Sequence, residues 1–257
     1  MKNIVLVKLG GSVITDKSKA YFANVDIIKR LARELKVSKK SLILAHGSGS
    51  FGHTSAVRYG GKKGYKSKEG IAKVARDAME INRIVMDILV KEKIPAISFR
   101  PMSMILAKNG QMEENFFQVV ELAANQGLTP VVYGDVIWDK KWKSTIYSGE
   151  TILNRIGIYL KNKGFKIDKI IQVGETNGVY DDKGNTIPQI SKNSWQNLRK
   201  YVYKPKVKDV TGGMQHKIED ALKMAEIGVN TLLINGKVKN ELSNALLNKK
   251  VKGTVIK

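Results

Sequence analysis

Apolar residues along this chain follow two alternating rhythms. Short strand-like runs occur at Ile4 to Leu9, Ser41 to Ala45, Pro95 to Phe99, Pro130 to Tyr133, Ile170 to Val173 and Thr231 to Ile234. Between them, apolar residues recur every three or four positions. Val25 to Leu35 has this spacing, and so does the long stretch from Lys68 to Lys91. In the latter, Ile71, Val74, Ala75, Ala78, Ile81, Ile84, Val85, Ile88 and Leu89 form one broad stripe, which reads as core packing and could also serve a dimer seam. Further helices are predicted from Glu150 to Lys161 and from Thr211 through Ile227, with a hairpin over Asp139 to Ile146. Gly178 to Gly184 has turn chemistry, and Ser191 to Tyr201 is irregular or helical. Strands alternating with helices predict an α/β fold whose mostly parallel sheet is covered on both faces. No repeat, low-complexity tract or flexible linker interrupts the pattern, so any two lobes share one continuous sheet.

Composition narrows the chemistry. The absence of cysteine excludes disulfides and thiolate metal sites, and His46, His53 and His216 are too scattered for zinc, so no metal ligand set is expected. No run approaches the roughly 20 apolar residues of a membrane helix. Lys8 breaks the N-terminal apolar run too early for a secretory signal, which predicts a buried first strand and a cytoplasmic protein. Among 257 residues, 45 are basic and 23 acidic, a formal charge of +22 that would suit a polyanionic partner such as nucleic acid. The lysines are spread over the whole chain rather than gathered in a tail or one block, however. Most of the charge therefore reads as a solvated surface, and no nucleic-acid partner is expected.

Two glycine-rich turns follow apolar strands: Gly10-Gly11-Ser12 and Gly47-Ser48-Gly49-Ser50-Phe51-Gly52. Such turns let the backbone approach a phosphate and direct N–H groups at it, and ligands of open α/β sheets collect at these strand ends. The basic segment Gly60 to Ser67 lacks the Walker A spacing and follows no strand. Lys8, inside an apolar strand, must either meet an anion or snorkel to the strand end. Lys17 could equally occupy a surface turn. His53, directly after the second turn, could donate to a phosphate oxygen. In Thr211-Gly212-Gly213-Met214-Gln215-His216-Lys217, a capped helix start brings Lys217 one turn in, suited to nucleotide phosphates or simply to capping.

Taken together, V-K-L-G-G-S at 7–12, H-G-S-G-S-F-G-H at 46–53, Y-G-D-V at 133–136, S-G-E-T at 148–151, T-N-G-V-Y-D at 176–181 and T-G-G-M-Q-H-K at 211–217 resemble the amino-acid kinase superfamily over nearly the whole chain. Within it, the turn ending in His53 and the Y-G-D-V segment are similar to the isopentenyl phosphate kinases, with fosfomycin-phosphorylating kinases as near relatives. The resemblance implies an open αβα sandwich in which residues 1–166 bind the phosphoryl acceptor and 167–257 bind ATP. It implies a cytoplasmic, homodimeric small-molecule kinase using ATP and Mg²⁺, with isopentenyl phosphate as acceptor or, alternatively, another small phosphate or phosphonate. Lys8, Gly10, Gly11 and Ser12 would face the ATP phosphates, and Lys17 would stabilise the transition state. Ser48, Gly49, His53, Gly134 and Asp135 would lie along the acceptor phosphate and the transfer path. Glu175, Gly213 and Lys217 would match nucleotide-side positions. Glu150 and Glu175 stand where family members often have Asp, and Ser48 where glycine or alanine is common. For the acceptor tail, Ile71, Met79, Ile81, Met102 and Ile105 are candidates, each of which could instead be plain core.

Overall fold

The computed structural model describes residues 3–61, 64–65, 67–200 and 213–257. Lys62 and Lys63 of the basic segment, and the expected helix cap Thr211 with Gly212, lie outside the described residues. In chain order the elements begin with β1 (Asn3–Leu9), α1 (Gly11–Ile14), α2 (Val25–Leu35), β2 (Ser41–His46) and α3 (Gly49–Tyr59). A minimal ribbon, β3 (Gly60–Gly61) and β4 (Gly64–Tyr65), precedes α4 (Lys68–Lys91) and β5 (Ala96–Ser98). Then come β6 (Ile105–Lys108), β7 (Gln111–Asn115), α5 (Gln118–Asn125), β8 (Thr129–Tyr133), β9 (Asp135–Asp139), β10 (Lys143–Tyr147) and α6 (Gly149–Asn162). The remainder is β11 (Lys166–Gly174), β12 (Val179–Tyr180), β13 (Thr186–Ile187), β14 (Gln189–Ile190), α7 (Lys192–Leu198), α8 (Gly213–Glu226), β15 (Thr231–Asn235), α9 (Glu241–Leu246) and β16 (Gly253–Ile256).

Eight strands form one sheet in the order β14-β16-β15-β11-β1-β2-β8-β5. It is parallel except where β16 pairs antiparallel with β15. β1 is central, buried on both faces, and its apolar run is continuous for that reason. Val5, Val7 and Leu9 pack beneath α2, α4 and α9, while Ile4 and Leu6 pack beneath α5, α6 and α8. The result is the expected sandwich. On α6, Ile152, Leu153, Ile156 and Leu160 are fully buried. Each contributes roughly 1.5–3 kcal/mol of burial, more than enough to hold a helix of marginal intrinsic stability. Ser148 caps its start by accepting the Thr151 N–H at 3.0 Å.

The hairpin predicted over 139–146 is half of a larger element. β9 and β10 belong to a separate four-stranded sheet, order β10-β9-β6-β7. Asp139 organises it by accepting N–H groups from Asn109 (3.2 Å), Gly110 (2.7 Å), Lys141 (2.8 Å) and Trp142 (2.8 Å). Among the described residues, no helix is long and apolar enough to cross a membrane.

Candidate active site

β1, β2 and β8 are parallel neighbours, so their carboxyl ends open along one edge of the sheet. The turns after them interlock backbone on backbone. A Cβ on Gly11 would lie 2.6 Å from the Gly49 nitrogen, and one on Gly149 would lie 2.4 Å from the His46 carbonyl oxygen. That carbonyl accepts the Gly134 N–H at 3.0 Å. Gly49 also has φ +49°, a left-handed conformation that favours glycine. The glycines thus serve first to bring these turns together, and not every amide is left for a ligand. Gly10 donates to Val173 O (2.8 Å), and the Ser50 amide donates to Thr15 Oγ1 (2.9 Å). The amides of Gly11, Ser12, Gly49, Gly149 and Glu150 begin α1, α3 and α6, where helices supply no acceptor of their own. The positive dipole ends of α3 and α6 therefore meet above β2, a setting that favours anions.

Lys8 points from β1 toward the start of α6 and lies 3.7 Å from Glu150 Oε2. Of the two fates open to a strand lysine, it has met an anion. Gln172 is its register partner on β11, and Asn154 follows Glu150 by one turn of α6. Glu150 Oε1, Gln172 Nε2 and Asn154 Oδ1 are buried without hydrogen-bond partners among the described residues. An orphaned buried polar atom costs about 1–3 kcal/mol. Two of these atoms belong to Glu150 and Gln172, which flank Lys8, so this end of β1 can accept a further polar group.

On the other side of the β1 turn, Ser12, Thr15, Asp16, Lys17, Glu175 and Lys237 line a cleft of about 430 Å³. Lys17 is exposed, as a surface-turn reading allowed, yet its loop is tied down. Asp16 N–H donates to Phe22 O at 3.0 Å, and the Tyr21 hydroxyl donates to the fully buried Asp77 at 3.1 Å. Lys73 neutralises Asp77 at 2.6 Å. Glu175 pairs with Lys237 at 2.6 Å.

The remaining expected residues are less concentrated. Ser48 leads into α3, and His53, expected at the end of the turn, stands exposed within that helix. Asp135 turns inward to accept from Val136 N (2.8 Å) and Met102 N (3.3 Å), with Arg100 Nε at 3.7 Å. Burial outweighs these favourable contacts and pushes its carboxyl up to about 6. Gly213 opens α8 and Lys217 is half-buried one turn in; neither lines the cleft around Lys17. Of the tail candidates, Ile71 and Met102 join Tyr65 and Val136 in an apolar cluster beside Asp135. Ile81 and Ile105 are core, and Met79 is exposed on the outer side of α4.

Comparison with known proteins fits this architecture. A model of the amino acid kinase family matches residues 3–235. The chain belongs to the amino acid kinase family. This family member is 32% identical to isopentenyl phosphate kinase of Methanothermobacter thermautotrophicus, with 98% of each chain covered. It is also 32% identical to isopentenyl phosphate kinase of Methanocaldococcus jannaschii, again over 98% of each. An X-ray structure of isopentenyl phosphate kinase superposes with a TM-score of 0.82 at 30% identity, covering 99% of this chain and 100% of that one. A substrate complex of isopentenyl phosphate kinase superposes with a TM-score of 0.78 at 26% identity over the full length of both.

Three site features of this amino acid kinase family member escaped the sequence reading. Gln172 sits in an apolar strand and could have been noticed for the same reason as Lys8. Asn154 is spaced one turn from Glu150, a pairing visible only once α6 is placed. Lys237, in Asn235-Gly236-Lys237, looked like one surface lysine among many.

Proposed function

We propose that this protein transfers the γ-phosphoryl group of ATP to isopentenyl phosphate, giving isopentenyl diphosphate and ADP. The reading is carried by one observation: the match to isopentenyl phosphate kinases, at 32% identity, runs over 98% of both chains. On this reading residues 1–166 hold the acceptor and 167–257 the nucleotide, joined by a continuous sheet. The acceptor phosphate rests against the turn at Ser48 and Gly49, with Gly134 and Asp135 behind it and His53 donating to a phosphate oxygen. Gly10, Gly11 and Ser12 line the path of the ATP phosphates; Glu175, Gly213 and Lys217 stand on the nucleotide side.

A phosphomonoester oxygen is already a competent nucleophile, so the site needs no strong base. That oxygen bonds to the γ-phosphorus as the bond to the β–γ bridging oxygen breaks in line. Catalysis then rests on positioning and charge cancellation, supplied by Lys8, Lys17 and Lys217. Among the described residues no three carboxylates or imidazoles cluster as metal ligands. Mg²⁺ fits as an ion held mainly by the triphosphate with one carboxylate, Glu150 or Glu175, as this ion commonly is. When bound it would neutralise phosphate charge. The protein acts in the cytoplasm, without a nucleic-acid partner. The exposed apolar residues Met79 and Val90 on α4 support a homodimer.

The test is a coupled ADP-release assay with isopentenyl phosphate, dimethylallyl phosphate, fosfomycin, UMP and a blank. Turnover on the prenyl phosphates is expected. Turnover on fosfomycin or UMP instead would keep the chemistry and overturn the acceptor.

A further inference from the structure

The segment after β15 is held with unusual completeness for a surface loop. Asn235 donates to Asn177 Oδ1 at 3.1 Å and accepts the Lys237 amide at 2.9 Å. Gly236 donates to Gly174 O at 2.8 Å. A Cβ on Gly236 would lie 2.4 Å from Val173 Cγ1 and 2.9 Å from Val13 Cγ1, so its backbone rests against the end of β11 and α1. From α2, Arg30 donates to the carbonyls of Gly236 and Val238, which flank Lys237. Arg30 is itself held by Glu34 at 2.5 Å. Glu34 is buried and accepts N–H groups from Asn240 (3.1 Å), Leu242 (3.0 Å) and Ser243 (3.2 Å). This is an investment of buried charge in one backbone segment, and the side chain it presents is Lys237, aimed into the cleft that Ser12, Lys17 and Glu175 line.

We propose that Lys237 is a further cation of the phosphoryl-transfer site, which leaves Glu175 for a terminal phosphate oxygen of the nucleotide, and that Arg30 and Glu34 are the positioning residues that hold it there. The proposal rests on the nucleotide-binding reading above. The exchange is electrostatically reasonable. The Lys237–Glu175 pair is half-exposed, so water screens it and it is worth little. A terminal phosphate carries more charge than one carboxylate and offers several acceptor oxygens. A lysine ammonium, a compact point charge on a flexible stem, can make this move with little change of backbone.

The test is calorimetric titration of ATP, ADP and AMP, with Mg²⁺, into the full-length protein and its variants. Lys237→Met should weaken ATP binding at least tenfold while leaving AMP within about twofold. Lys237→Arg should restore ATP binding to within about threefold, and Lys239→Met, two residues along the same loop, should change nothing. Arg30→Met should also weaken ATP binding, and the Arg30→Met/Lys237→Met double variant should be no more than about twofold weaker than the worse single. ATP binding by Lys237→Met within twofold of wild type, or an equal loss for AMP, would overturn the role of Lys237. Additive losses in the double variant would overturn the positioning role of Arg30. A wild-type chain that binds no nucleotide would sink the kinase reading and this proposal together, whereas normal wild-type binding with an indifferent Lys237→Met sinks only the latter.

Discussion

Replacing His46 by glutamine should remove one defined part of the pH dependence of stability. The ring is buried at the end of β2, stacked on Tyr133 with centroids 5.5 Å apart. Its Nδ1 lies 3.1 Å from the Gly47 carbonyl oxygen, which can only accept, so Nδ1 carries the proton. Nε2 then accepts from Asn82 Nδ2 at 3.1 Å, and Asn82 Oδ1 accepts from the Ser98 hydroxyl at 2.7 Å. Burial lowers the ring from 6.5 to about 4, against the favourable contact with Gly47 O. The folded state therefore prefers the neutral ring. Its contribution is fully present above about pH 6.5 and is lost as pH falls toward 4. A gap of about 2.5 units at about 1.4 kcal/mol per unit gives about 3 kcal/mol. Asp135 works in the opposite sense. Its carboxyl is raised to about 6, so it adds stability as pH falls through that value and would mask His46 in a single curve. The measurement is therefore a difference: urea unfolding of wild type and His46→Gln at several pH values between 7.5 and 4. Wild type should be more stable at pH 7.5, and the gap should narrow by about 3 kcal/mol by pH 4. A gap constant to within about 0.5 kcal/mol would refute the buried neutral ring.

Three other outcomes are expected. Gly11→Ala would drive a methyl into the Gly49 backbone and should cost at least about 1–3 kcal/mol in unfolding experiments, with activity falling further because the two turns must part. Asp139→Asn should cost about 1–3 kcal/mol, since an amide cannot accept from all four N–H groups. Although burial opposes it, those donors hold the Asp139 carboxyl below its ordinary range, so its contribution is present at neutral pH and is lost as pH falls through that lowered value; an equal gap at pH 7 and pH 2 would count against this account. In steady-state kinetics, Lys17→Ala should mainly lower kcat, on the order of 10²–10³-fold, and His53→Ala should mainly raise KM for the acceptor; near-wild-type values for both would sink the site assignment.

The strongly periodic elements were legible in the sequence. The spacing of α2 and α4 marks both ends of each helix because their apolar stripes face a deep core. The glycine-bearing strand ends were legible because a strand, a glycine pair and a misplaced lysine are a local pattern. α3 was not, since Gly49 to Tyr59 mixes small and polar residues and owes its helix to the turn it grows from. β6 and β7 were not either: β7 is an exposed, polar edge strand without alternation, and the Asn109-Gly110 turn that leads into it is held by Asp139, about thirty residues away. The same limit applies to the site. Lys8 announced itself by its neighbours, whereas Lys237 acquires its meaning only from Arg30 and Glu34, some two hundred residues earlier.

The central position of β1 has a consequence for how the protein is made. The first described residue, Asn3, pairs with Lys166, and Leu9 with Val173. A ribosome must therefore release most of the chain before the middle strand gains its second neighbour, and until then an apolar edge waits unpaired. Distant pairing of this kind slows folding. Chaperone dependence during synthesis, and aggregation of chains truncated before Lys166, should accompany this sheet order.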